Sequence, residues 1–134
     1  MNKTLGEELL TPTRIYAHAI KEICSHYKVK NVIKGIANIT GGGMIENIPR
    51  IMPEGFAVEI NKNKWEIPPI FQIIQKEGNI NEEEMYHVFN MGIGTVIVID
   101  KYYANSVLKR LTKIGEKPYV IGQIINGNKE VIIK

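Results

Sequence analysis

Cysteine is all but missing from this chain: Cys24 stands alone among 134 residues. One thiol excludes a disulfide framework and suits a reducing compartment. Aspartate is equally scarce, with Asp100 the only one, and no Ser-His-Asp arrangement is visible from spacing. No run of five like charges occurs. With a net charge of +3 and a pI of 8.9, the electrostatic case for nucleic acid is weak, and the scattered lysines read as a solvated surface. No apolar run approaches the roughly 20 residues of a membrane helix, and the N-terminus has no apolar signal-peptide core. A cytoplasmic protein is expected. The three histidines, His18, His26 and His87, form no set with Cys, Asp or Glu, so no metal is assigned to this chain.

What is present fits one domain with a usable core: 44% hydrophobic and 23% charged residues. Residues 1–10 are mixed and read as an extension, a former inter-domain linker; residues 11–134 read as a single domain. Thr11 as N-cap and Pro12 at the first position predict a helix from "TPTRIY" onward. Ile15, Tyr16, Ala19, Ile20, Ile23, Cys24 and Tyr27 recur at helical spacing, predicting one inward face and a buried, inert thiol. "VIKGIANIT" predicts a strand, "MIENIP" one helical turn stopped by Pro49, and "GFAVEI" another strand. "IPPIFQIIQKEG" predicts a helix ended by Gly78, and Asn81 caps the next, with three acids suiting its dipole. "GTVIVID" predicts a strand buried on both faces. "KYYANSVLKRLTKIG" predicts an amphipathic helix, and the last 17 residues predict two strands joined as a hairpin around Asn126-Gly127-Asn128. About five strands and four helices in mixed order give an α+β fold, a mixed β-sheet flanked by α-helices.

The chemistry concentrates in "ITGGGMIENIPR". A strand, three glycines and a helical turn make an anion site, because bare N–H groups approach a phosphate without side-chain interference. The spacing is neither a P-loop nor the dinucleotide pattern. Two readings stand: Gly41, Gly42 and Gly43 bind a phosphate, or they form a turn or a tight packing point. Arg50 has a planar fork suited to phosphate, and Asn47 offers donor and acceptor; a surface charge and a local backbone bond are the plain alternatives. Thr13 and Arg14 fall in the first turn of the opening helix. A base there opposes the dipole, so an acid partner, a bound anion or simple solvation is expected. Gly92 and Gly94 follow Asn90. They either close a helix and relieve crowding at a strand, or complete one wall of a cleft beside the first loop.

Three segments in order, "LLTPTRIY", "ITGGGMIENIPRIMP" and "NEEEMYHVFNMGIG", closely resemble the C-terminal half of the phosphoribosylformylglycinamidine cyclo-ligase (aminoimidazole ribonucleotide synthetase) family. The likeness continues through "IGQII" and so covers nearly the whole chain; the glycine segment with "ENIPR" is its most specific part. The resemblance implies a partly ferredoxin-like layout. It also implies ATP-dependent closure of the imidazole ring of purines from formylglycinamidine ribonucleotide. It implies a missing N-terminal domain that supplies the homodimer interface and most of the ATP and Mg2+ site, so that this chain alone is inactive. An exposed apolar patch is expected where that domain docks. By the resemblance Gly41, Gly42 and Gly43 face the inter-domain cleft near a phosphate, and Thr13, Arg14, Asn47, Arg50 and Asn90 line or support it; no catalytic base is implied. Two alternatives remain open: a related ATP-dependent enzyme, since selenophosphate synthetase and thiamine-monophosphate kinase share the fold, and a stand-alone phosphate- or nucleotide-binding module.

Overall fold

A computed structural model describes residues 4–28 and 30–134; residues 1–3, part of the expected extension, lie outside the described residues. In chain order come α1 (Leu5–Leu9), α2 (Ala17–His26), β1 (Ile33–Asn38), α3 (Gly43–Asn47), β2 (Phe56–Ile60), α4 (Pro69–Glu77), α5 (Glu82–Val88), β3 (Thr95–Ile99), α6 (Ala104–Lys113), β4 (Gly122–Asn126) and β5 (Val131–Ile133). Short 3-10 turns follow α3, β2 and β3.

The α+β class holds, with a mixed sheet and flanking helices. The strands divide into two sheets. β1 and β3 pair antiparallel, from Ile33 opposite Ile99 to Asn38 opposite Thr95. The second sheet has the order β4-β2-β5, with β2 antiparallel to β4 and parallel to β5. The expected hairpin is therefore overturned: β4 and β5 flank β2 and do not pair. The reason lies in the connecting loop. Gly127 N–H bonds Gly55 O at 3.1 Å, and Lys129 N–H bonds Phe56 O at 2.7 Å, so the loop wraps around the start of β2. A side chain at 127 would overlap the Ala57 Cβ; glycine lets the chain cross. β2, with Ala57, Val58 and Ile60 buried, has the apolar character that a central strand needs.

Two cores result. The larger packs Met44, Ile48, Val58, Ile60, Trp65, Met85 and Tyr86 between α3, α5 and the three-stranded sheet. The smaller packs Ala19 and Ile23 of α2 against Val107 and Leu111 of α6, over Val32, Ile97 and Ile99. At about 25 cal/mol per Å2 of apolar surface removed from water, such seams dominate the stabilisation of short helices.

The start of α2 differs from expectation. Thr11 turns back, its hydroxyl donating to Glu7 O at 3.1 Å and its N–H to Glu8 O. It closes α1, and α2 begins at Ala17 with Tyr16 as its cap. Residues 11–16 form a strap in which Ile15 is 82% exposed, not inward. Cys24 is also exposed, not buried, because the buried stripe of α2 runs through Ala19 and Ile23 and Cys24 points off it. β3 is half-buried at all five positions, not enclosed, because its outer edge opens on a cleft. Other expectations hold: Asn81 Oδ1 accepts from Glu84 N–H at 2.8 Å, and α4 ends at Gly78. Among the described residues no helix is long and apolar enough to cross a membrane.

Candidate functional site

β1 delivers the chain to the glycine loop, and Ile39 N–H bonds Gly94 O at 2.9 Å, which ties the loop to its neighbour. Gly42 (φ 92°) and Gly43 (φ 56°) take the left-handed conformation that glycine adopts without strain. Gly43 is buried. A Cβ there would overlap the Tyr86 carbonyl oxygen and lie 2.9 Å from that of Phe89, so the loop rests directly on the end of α5.

Asn47 lies beneath the loop and is 4% exposed. Its amide nitrogen donates to Gly43 O at 2.7 Å, Gly41 O at 3.2 Å and Thr40 O at 3.4 Å. Two amide hydrogens serve three carbonyls, so the Gly43 bond carries the most weight. Thr40 Oγ1 donates to Asn47 Oδ1 at 3.4 Å, and Gly43 N–H donates to Thr40 O at 3.1 Å. These groups are spent inside the loop. The N–H groups of Gly41 and Gly42 have no protein acceptor among the described residues. Gly41 is exposed, with no atom within 4 Å of a notional Cβ. The Glu46 side chain folds against Gly42, and its carboxylate stands 3.9 Å from the exposed Arg50 guanidinium, a weak pair at that exposure. The loop face therefore presents two free amides, one acid and one base.

Asn90 occupies the adjacent loop. Its Oδ1 accepts from Gly92 N–H at 2.9 Å, an Asx turn. Gly92 makes room for Pro68, and Gly94 for the Tyr16 hydroxyl. Trp65 donates Nε1–H to Met91 O at 2.9 Å and pins this loop from below. Sequence reasoning passed over Trp65; a lone tryptophan in "NKNKWEIP" was the available signal. Tyr86 is also buried, its hydroxyl without a partner among the described residues, and burial pushes the phenol above its ordinary value.

Gly41–Gly43, Asn47 and Arg50 thus form one unit, and Asn90 lies in the loop beside it. Arg14 lies elsewhere. It pairs with Glu116 at 2.9 Å on the rim of a cleft of about 700 Å3 between β3 and β4; because α2 begins only at Ala17, Thr13 and Arg14 precede that helix, and the expected opposition to its dipole does not arise. Gly92 and Gly94 reach this cleft, while the glycine triplet does not line it. Thr13 is exposed on the strap. Among the described residues no three His, Cys, Asp or Glu side chains converge to hold a cation.

Residues 2–134 match the family model described as AIR synthase related protein, C-terminal domain. The chain belongs to this family. The chain is 49% identical over 133 residues to a phosphoribosylformylglycinamidine cyclo-ligase of Pseudothermotoga lettingae, covering 99% of this chain and 38% of that protein. It is 51% identical, with the same coverage, to the enzyme of that name from Caldanaerobacter subterraneus subsp. tengcongensis. The chain thus spans well under half the length of these curated relatives. Among solved structures, the domain resembles a chain of a HypE–HypF complex with a TM-score of 0.68 at 23% identity, over 96% of this chain and 42% of that one. It also resembles E. coli HypE, a hydrogenase maturation protein, with a TM-score of 0.64 at 17% identity, over 89% of this chain and 35% of that one. These two likenesses carry the fold alone.

Proposed function

We propose that this chain is the C-terminal part of an ATP-dependent cyclo-ligase of the cytoplasm that converts formylglycinamidine ribonucleotide to aminoimidazole ribonucleotide, and that it does not catalyse alone. The observation that carries this reading is near-half identity to cyclo-ligases along 99% of the chain. ATP supplies a phosphoryl group that turns the formyl oxygen into a leaving group; attack by the amidine nitrogen on that carbon closes the ring. In this reading Mg2+, most of the ATP contacts and the homodimer interface belong to the portion of the enzyme beyond this chain, as the resemblance to the cyclo-ligase family implies.

In this reading the chain positions an anionic group. The N–H groups of Gly41 and Gly42 point at a phosphate, at the entry to α3. Arg50 supplies the positive charge that offsets Glu46, and a phosphate draws it out of its weak pair. Asn47 acts from beneath by holding the loop carbonyls, so that the amides stay aimed outward. Asn90 shapes the adjoining loop. Thr13 and Arg14 belong to the strap, and they approach the substrate only where the missing portion closes over it.

The test is a chimera in which this chain replaces the matched part of the Pseudothermotoga lettingae relative, assayed for aminoimidazole ribonucleotide formation with ATP. The chimera is expected to turn over and the chain alone to be inactive. A folded chimera that binds substrate but forms no product sinks the reading. NMR titration of the chain with inorganic phosphate is expected to shift Gly41, Gly42 and Arg50 first; shifts confined to other surfaces remove the loop from the site.

A further inference from the structure

The cleft between β3 and β4 is bounded by two strand edges that are both unpaired. On β3, Ile39 N–H bonds Gly94 O, which fixes that pair as a hydrogen-bonded one. Antiparallel alternation then turns the N–H and C=O groups of Thr95 and Ile97 away from β1. On β4, the alternation is fixed at both ends, by Asn61 N–H to Ile121 O and by Gly127 N–H to Gly55 O. It turns the groups of Gly122 and Ile124 away from β2. All four residues line the cleft, and among the described residues no backbone bond reaches these outer edges. Two facing rows of unsatisfied donors and acceptors are a template for another strand.

The lining is largely apolar: Ile20 of α2 and Leu108 of α6 border the cleft, as do Ile48 and Val58 of the larger core. A strand laid between β3 and β4 meets apolar surface, the environment of a central strand. Ile124, which lines the gap, is 38% exposed.

We infer that this gap takes an extended, apolar segment from the part of the full-length protein beyond this chain, merging the two sheets into one. The inference rests on the cyclo-ligase reading for the source of that segment. The chain covers 38% of the length of its relatives, so ample polypeptide exists to supply it. A second folded copy fits less well: one cleft walled by two edges admits a single free strand, and another copy presents strands already joined in sheets.

Amide hydrogen exchange tests this, comparing the chain alone with the Pseudothermotoga chimera. The amides of Thr95, Ile97, Gly122 and Ile124 are expected to exchange roughly 100-fold more slowly in the chimera. Unchanged exchange at these four, with protection gained elsewhere, overturns the inference. So does concentration-dependent protection in the chain alone, which makes a second copy the occupant. Protection in the monomeric chain overturns it as well, because its own residues then fill the gap. Ring closure by the chimera is read separately, so failure of the function and failure of the strand are distinguishable. Ile124→Pro sharpens the test. The N–H at 124 points away from β2, so proline spares the β2–β4 ladder while removing a donor to the incoming strand. The variant chain is expected to keep its far-UV circular dichroism, and its chimera to lose the slow exchange at Ile97. Slow exchange retained at Ile97 in that variant counts against pairing across β4.

Discussion

Gly43 and Gly94 bring bare backbone into contact with a neighbour, whereas Gly41, two residues before Gly43, touches nothing. At Gly43 the neighbours are the carbonyls that end α5, and at Gly94 the neighbour is the Tyr16 hydroxyl. Both glycines are demanded by the fold. Gly41 has open space around it and is not among the positive-φ residues. The same residue type in one region thus answers two needs, packing within the chain and access from outside it.

The largest effect expected from breaking this comparison is at Gly43. Gly43→Ala sets a Cβ against two fixed backbone carbonyls at a φ of 56°, and neither backbone can give way cheaply. Overpacking and left-handed strain together are expected to destabilise the fold by about 3 kcal/mol, measured by urea unfolding of the chain. A loss within 0.5 kcal/mol would show that the loop does not rest on α5.

Next in size is Asn47→Ala. It leaves the carbonyls of Thr40, Gly41 and Gly43 without their shared donor in a buried place, an expected loss of about 2 kcal/mol. Asn47→Asp is expected to be at least as harmful, because an ionised carboxylate only accepts and faces three acceptors. A stability loss without added mobility at residues 40–43, read by NMR relaxation, would separate lost packing from a lost clamp.

These positions also mark where the sequence was legible. Local rules sufficed wherever a signal acts over a few residues: Asn81 as a cap, Gly78 as a stop, Pro49 after one helical turn. The glycine triplet itself stood out for the same reason. What escaped depends on distant partners. Thr11 looks forward like a cap, yet its hydroxyl is taken by Glu7 behind it. Asn126-Gly127-Asn128 reads as a hairpin turn, yet its glycine serves the passage over Ala57. For Asn47 a ligand-facing amide and a local backbone bond both stood open, and only the fold shows it turned under the loop. The β3–β4 cleft was invisible because no short pattern encodes which edges stay unpaired.

A smaller effect belongs to Gly94. Here the obstructing group is the far end of Tyr16, with ring carbons 2.7 to 2.8 Å from the notional Cβ, and a side chain can swing aside where a carbonyl cannot. Gly94→Ala is expected to destabilise by about 1 kcal/mol. The effect should shrink in a Tyr16→Ala background, a coupling that a double-mutant cycle measures. Additive losses would place the obstruction in the backbone at 94 and not in the tyrosine.

Gly41→Ala is the finest probe, since its expected effect on stability is within about 0.5 kcal/mol. Nothing in the chain lies where the new methyl goes, and the residue keeps its amide. A methyl or larger group nevertheless stands on the side from which an anion reaches the free N–H groups of Gly41 and Gly42. Phosphate-induced shifts at the loop are therefore expected to weaken in Gly41→Ala and further in Gly41→Val. In the chimera, kcat/KM for ring closure should fall in the same order while unfolding midpoints stay put. That pattern separates a glycine kept for access from one kept for folding. If both variants titrate and turn over like the parent, Gly41 serves neither need, and the exposed amides are no more than the outer side of a turn.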